Sequence, residues 1–91
     1  MELQELRKQI DAVDRELVAL LEKRMDISVG VAQYKMAHGL PVLDAGREQE
    51  KLSAIQAMCR PETGELITEV FKSAMAASRA YQTHLMEQTN E

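Results

Sequence analysis

The chain has almost no aromatic side chains: one Phe, two Tyr and no Trp among 91 residues. With only four Gly and two Pro as well, it lacks the β-formers and the turn residues that would mark short strands joined by tight turns. The single cysteine, Cys59, has no internal disulfide partner, and a lone thiol set apart from His38 and His84 gives no metal-ligand spacing. A reducing cytoplasm is the expected compartment, and neither a metal nor a cofactor is expected. No apolar run approaches the roughly 18 to 20 residues of a membrane-spanning helix, and no basic-then-apolar leader opens the chain. The net charge is -4, with no run of Lys or Arg interleaved with aromatics, which argues against nucleic acid and anionic membranes as partners. A Gly-rich phosphate loop is missing, as is any Ser/His/Asp or Cys/His set suited to covalent catalysis.

What is present is helical. The chain is 45% hydrophobic and 29% charged, which fits one small all-α domain, near the size at which oligomerisation commonly completes a core. From Glu2 to about residue 37 there is no proline, and apolar residues recur at Leu3, Leu6, Ile10, Val13, Leu17 and Leu20 in alternating steps of three and four, continuing at Ile27, Val31 and Tyr34. The spacing predicts one helix over 2–37, about 50 Å long. A compact chain of this length has a radius of gyration of only about 12 Å, so such a helix projects beyond its own domain and calls for a second chain to cover it. Gly30, within that helix, costs up to about 1 kcal/mol relative to Ala, which suggests close packing there. His38-Gly39-Leu40-Pro41-Val42 ends the helix, since glycine favours a C-terminal cap and proline prevents continuation. Asp44 then caps a second helix over 44–58, with Leu52, Ile55 and Cys59 on its apolar side. After Arg60-Pro61-Glu62-Thr63-Gly64, Thr63 is expected to cap a third helix over 63–86 whose inward stripe is Ile67, Val70, Phe71, Ala74, Ser78, Tyr81 and Leu85. The plan is long, short, medium, with a polar, frayed tail after Glu87 and with methionines such as Met25, Met36, Met58 and Met75 filling gaps in the core.

One residue breaks the first seam. The position after Leu20 in the apolar register is Arg24, and Lys35, eleven residues on, lies within roughly 20° of the same azimuth. Only Ser28, Val31 and Ala32 lie between them on that face. Buried or half-buried charges cost several kcal/mol unless they are paired, so two cations bracketing a floor of small side chains imply anions, from the protein or from a ligand. Such charges also snorkel from helix edges or pair with a neighbour's glutamates. Arg7 lies about 25 Å from Arg24 along the axis and on another face, so it reaches that site only from a second chain. Asp44, Arg47 and Glu48 open the second helix, where capping and dipole pairing account for acidic residues without any ligand. Ser78 and Gln82, four apart on the inward stripe, need buried partners, which backbone groups often supply.

The order Arg7, then Leu20-Leu21-Glu22-Lys23-Arg24, then Lys35, then Pro41-Val42-Leu43-Asp44 with Arg47-Glu48, then Ser78 and Gln82, resembles the all-helical AroQ-class chorismate mutases over nearly the whole chain. The resemblance implies an intertwined homodimer of three-helix chains, with long first helices paired and two active sites, each completed by the partner. It implies an isomerase that converts chorismate to prephenate by pericyclic rearrangement, toward phenylalanine and tyrosine, without a cofactor. Carried over by position, Arg24, Arg47 and Arg7 from the partner chain, with Ser78, hold the two carboxylates of chorismate. Lys35 and Gln82 face the ether oxygen of the breaking bond, and Glu48, helped by the Asp44 region, accepts from the ring hydroxyl. Gly46 within the first turn of the second helix is a minor departure, which bears on where that helix starts.

Two other readings stand beside it. An isochorismate-pyruvate lyase also needs two clamped carboxylates on the same fold. A helical dimerisation module without catalysis follows from composition and periodicity alone, but gives no reason for Arg24, Lys35, Ser78 and Gln82 to line one cavity.

Overall fold

A computed structural model describes residues 2–89 and is all-α: α1 (Leu3–His38), α2 (Ala45–Met58) and α3 (Gly64–Thr89). The longest dimension of the molecule is 54 Å, which is the length a 36-residue helix reaches at about 1.5 Å per residue. α1 stops where the sequence changes character. Gly39 takes the left-handed conformation at φ 64°, and the Leu40 N–H donates to the Lys35 carbonyl at 2.8 Å, satisfying an orphan carbonyl of the last turn. α2 starts at a side-chain cap, with the Arg47 N–H donating to Asp44 Oδ1 at 3.0 Å. Gly46 sits in that first turn, with Asp44 Oδ1 at an ordinary contact distance of 3.8 Å from where a Cβ would stand, and the helix starts at Ala45 around it. α3 begins differently from the expected cap. Thr63 Oγ1 donates back to the Arg60 carbonyl at 3.3 Å, and the helical ladder opens with the Ile67 N–H on the Thr63 carbonyl at 2.9 Å. The helix then continues to Thr89, past the expected end near Met86; residues 90 and 91 of the expected frayed tail lie outside the described residues.

α3 is the middle of the arrangement. It packs on α1 along one side and on α2 along another, and among the described residues α1 and α2 make no close backbone approach to each other. The core this produces is thin. Buried apolar side chains among the described residues are Ala32, Ile55 and Met75, and they share the interior with three buried polar ones, Ser28, Ser78 and Gln82. Half of the interior therefore requires hydrogen-bond partners, an arrangement that a core built for stability alone avoids.

Several sequence expectations change here. Of the predicted inward stripe on α3, Val70 is 62% and Tyr81 37% exposed, whereas Ser78 and Gln82 point inward as expected and Met75 is buried beside them. Met58 ends α2 at 76% exposure and fills no gap. At Gly30, among the described residues, nothing beyond the helix's own backbone lies within 4 Å of where a Cβ would stand, so the close packing expected there is not made within one chain. The amino-terminal half of α1 keeps its apolar seam in solvent, with Leu3, Ile10, Val13 and Leu20 each about 60% exposed. The radius of gyration is 16.4 Å, against about 12 Å for a compact chain of this length.

Candidate active site

The three helices enclose a cavity of about 200 Å³ at the carboxyl-terminal half of α1. α1 supplies Arg24, Val31 and Lys35, which with Ser28 follow steps of four, three and four and so fall on one line along the helix. The loop after α1 supplies Val42, and the start of α2 supplies Asp44, Arg47, Glu48 and Lys51. α3 contributes Met75, Ser78, Arg79 and Gln82, at i, i+3, i+4 and i+7 of one face. Seven of the eight residues singled out from sequence thus line one cavity. Arg7 does not: it is exposed, near the far end of α1.

Local bonds fix these side chains. Lys35 Nζ donates to the Val42 carbonyl at 2.6 Å, tying the last turn of α1 to the loop that precedes α2. The bond holds the ammonium at the cavity wall and leaves two of its three N–H donors for other partners. Deeper in, Ser28 Oγ donates to the Arg24 carbonyl at 3.1 Å, which spends its proton. The 2.7 Å contact between Ser28 and Ser78 hydroxyls is then a donation from Ser78, and Gln82 Nε2 donates to Ser78 Oγ at 3.1 Å. The chain of donors runs one way, from Gln82 through Ser78 and Ser28 to the backbone of α1. Among the described residues it leaves Gln82 Oε1 buried with no partner. A buried amide oxygen in that state costs on the order of 1–3 kcal/mol until a donor reaches it.

Charge is concentrated on the same walls. Five cations, Arg24, Lys35, Arg47, Lys51 and Arg79, face two carboxylates, Asp44 and Glu48. Both carboxylates already have protein partners. Asp44 caps α2, and Glu48 Oε1 is paired with Arg79 Nη1, both side chains being about a quarter to a third exposed. The cavity therefore carries an uncompensated positive charge of three, a strong preference for a small polyanion. Among the described residues no His, Cys, Asp and Glu cluster could hold a metal ion, and no helix is long and apolar enough to cross a membrane.

Residues 6–83 match the family model described as chorismate mutase type II. The chain belongs to the chorismate mutase type II family. Among its relatives within and around this family, the T-protein of Haemophilus influenzae is 36% identical over 80 residues, which is 86% of this chain and 21% of that protein. The chorismate mutase of Methanocaldococcus jannaschii is 27% identical over 89 residues, 96% of this chain and 90% of that one. The 4-amino-4-deoxychorismate mutase of Streptomyces venezuelae is 44% identical over 46 residues, half of this chain and 45% of that one. The chain thus spans about a fifth of the T-protein, less than half of the Streptomyces mutase and nearly all of the archaeal one.

Sequence reasoning missed two members of this chorismate mutase family cavity, Arg79 and Lys51, and the hydrogen-bond partner of Ser78. The signal for the first two was periodicity. Arg79 shares the Met75–Ser78–Gln82 face, and Lys51 lies three residues after Glu48, so each falls on a stripe already marked by polar residues. Nothing in the sequence points to Ser28 and Ser78 as partners, since 50 positions separate them.

Proposed function

We propose that this chain is a chorismate mutase that works as a homodimer, with chorismate held in the cavity between the three helices. The observation that carries the reading is the convergence of Arg24, Lys35, Arg47, Glu48, Ser78 and Gln82 on one small, cation-rich cavity in a chain of this family.

Chorismate carries two carboxylates, an enolpyruvyl ether and a ring hydroxyl. Its rearrangement to prephenate is unimolecular and pericyclic, so it needs no nucleophile and no proton relay. The protein has two tasks: to hold the compact conformer in which the enolpyruvyl arm lies over the ring, and to stabilise charge that appears as the carbon–oxygen bond breaks. Arg24 and Arg47 grip the carboxylates, with Ser78 and the partner's Arg7, because guanidinium forks match carboxylates in two parallel hydrogen bonds. Fixing both ends removes rotational freedom before reaction. Lys35 and Gln82 address the ether oxygen, where negative charge grows, and so bind the transition state more tightly than the ground state. Glu48 accepts from the ring hydroxyl with the Asp44 region beside it. Ser78 contributes its proton to a ligand carboxylate only by releasing Ser28, so the donor chain is part of what a ligand rearranges.

The second copy is supported by the surface. The chain exposes 7161 Å², whereas a compact monomer of this size exposes about 5,400 Å². The excess, about 1,800 Å² on each chain, comes to about 3,500 Å² over a pair, within the roughly 2,000–5,000 Å² of obligate homodimer interfaces, and the apolar seam of α1 lies on it. Covering what remains exposed of each of those aliphatic side chains, about 60%, stabilises the assembly by about 1–2 kcal/mol. An antiparallel neighbour along α1 also carries an Arg7 toward the carboxyl-terminal half of this helix, where the cavity opens. The activity test is loss of chorismate absorbance with purified protein and a chelator present, with prephenate identified among the products. Turnover supports the reading; no turnover of chorismate together with salicylate from isochorismate would replace it with the lyase.

A further inference from the structure

The pairing of Glu48 with Arg79 bears on which substrate the cavity accepts. We propose that Arg79 is a specificity-determining residue that selects a neutral hydroxyl over an ammonium group on the ring of the substrate; this rests on the chorismate mutase reading. A cation on the ligand needs a carboxylate that is free to receive it. The cavity has two, and each already has one oxygen engaged: Asp44 Oδ1 accepts the Arg47 N–H at 3.0 Å as the cap of α2, and Glu48, the one whose charge is countered, holds Oε1 against the Arg79 guanidinium across 31 residues of sequence. A hydroxyl places no such demand. It donates one hydrogen bond, and a carboxylate with one oxygen on a guanidinium keeps lone pairs to accept it. An ammonium at the same point meets the Arg79 guanidinium at close range, with Lys51 and Arg47 on the facing wall of α2 and Arg24 and Lys35 on α1. Like charges in a half-buried cleft disfavour such a ligand, and specificity built from repulsion is as effective as specificity built from contact.

The choice is a real one for similar chains, since 4-amino-4-deoxychorismate appears in the name of the Streptomyces relative. That compound keeps both carboxylates and the enolpyruvyl ether of chorismate and carries an amine, protonated at neutral pH, in place of the ring hydroxyl. Arg79 lies where it sets the ratio between the two substrates through the charge it presents beside Glu48. A purely structural role for the Arg79–Glu48 pair would lower turnover of both substrates alike, so the ratio separates the two roles.

The experiment measures kcat/KM for chorismate and for 4-amino-4-deoxychorismate with the full chain, its R79Q variant and its R79K variant. Wild-type protein is expected to favour chorismate by at least about tenfold. R79Q is expected to shift the ratio at least about tenfold toward the amino substrate, and R79K, which keeps the charge, to stay within about threefold of wild type. Equal use of both substrates by wild type overturns the proposal without recourse to any variant, and so does an R79Q ratio equal to that of wild type. Failure of wild type to convert chorismate at all is a separate result, and it removes the mutase reading itself.

Discussion

Replacing Gln82 with Glu turns a pH-independent donor into a titrating one, and the structure sets the size of the effect. Gln82 is 6% exposed and donates through Nε2 to Ser78 Oγ at 3.1 Å. In Gln82→Glu the Ser78 hydroxyl turns from Ser28 to donate to the new carboxylate, so the introduced side chain keeps its partner on α3. The ether oxygen fares differently. Ionised, the introduced carboxylate has no proton to donate, and loss of one such donor costs about 2.7–4 kcal/mol, or 10²- to 10³-fold in kcat. An anion beside developing negative charge adds to that loss. Protonated, the same group donates from its O–H and activity returns. Burial raises its midpoint from the ordinary value of about 4.3, and the nearby Lys35 and arginines lower it; in either case activity belongs to the protonated form. The variant is therefore expected to lose kcat as pH rises, tenfold per unit above the midpoint, while wild type stays flat across neutral pH because an amide does not titrate. The assay is chorismate turnover from acid to neutral pH with both proteins. A flat profile for Gln82→Glu, with a rate at pH 7.5 within about threefold of wild type, would refute the role given to Gln82.

Lys35→Ala removes both the charged donor proposed for the ether oxygen and the 2.6 Å bond to the Val42 carbonyl. kcat is expected to fall by at least about 10²- to 10³-fold, and the melting temperature to drop by several degrees, since a charged hydrogen bond contributes about 1.5–3 kcal/mol; retained turnover would remove Lys35 from the mechanism. Ser28→Ala takes away the acceptor of the Ser78 hydroxyl and the donor to the Arg24 carbonyl. It is expected to cost about 1 kcal/mol in stability and a few-fold in kcat, read by thermal melting and steady-state kinetics, and unchanged values in both would show that the chain orients nothing. Val13→Asp places a charge on the α1 seam, which is 60% exposed in one chain. It should leave a lone chain almost unaffected but dissociate the dimer and abolish activity; sedimentation at the wild-type mass with full turnover would contradict the assembly.

Much of the site was legible because it violates patterns. Arg24 stands out by occupying a leucine position, and Lys35 by sharing its azimuth across a floor of small residues. Asp44 announces the start of α2 by its place after the Gly39–Pro41 break, and the structure shows it capping Arg47. The inward face of α3 was harder. Its apolar residues form more than one stripe, and periodicity near 3.6 marks stripes without saying which meets α1, which meets α2 and which remains outside; Val70 and Tyr81 joined the wrong stripe for that reason. Arg79 and Lys51 escaped notice because long cations on a helix surface are usually solvated, and only the fold brings Glu48 to Arg79. The Ser28–Ser78 contact is likewise a product of tertiary packing, with no local signature. Gly30 illustrates the opposite error, a local cost read as tight packing that the chain does not make on its own.

The central claim is that each site is shared between two copies, with Arg24 from one chain and Arg7 from the other. Mixing Arg7→Ala and Arg24→Ala chains after unfolding and refolding tests it directly, because each heterodimer then has one site lacking both arginines and one site lacking neither. Each variant alone should be nearly inactive on chorismate, and the equimolar mixture should recover about a quarter of wild-type activity, since about half the dimers are mixed and each has one intact site of two. A mixture no more active than the average of its two components would contradict the account.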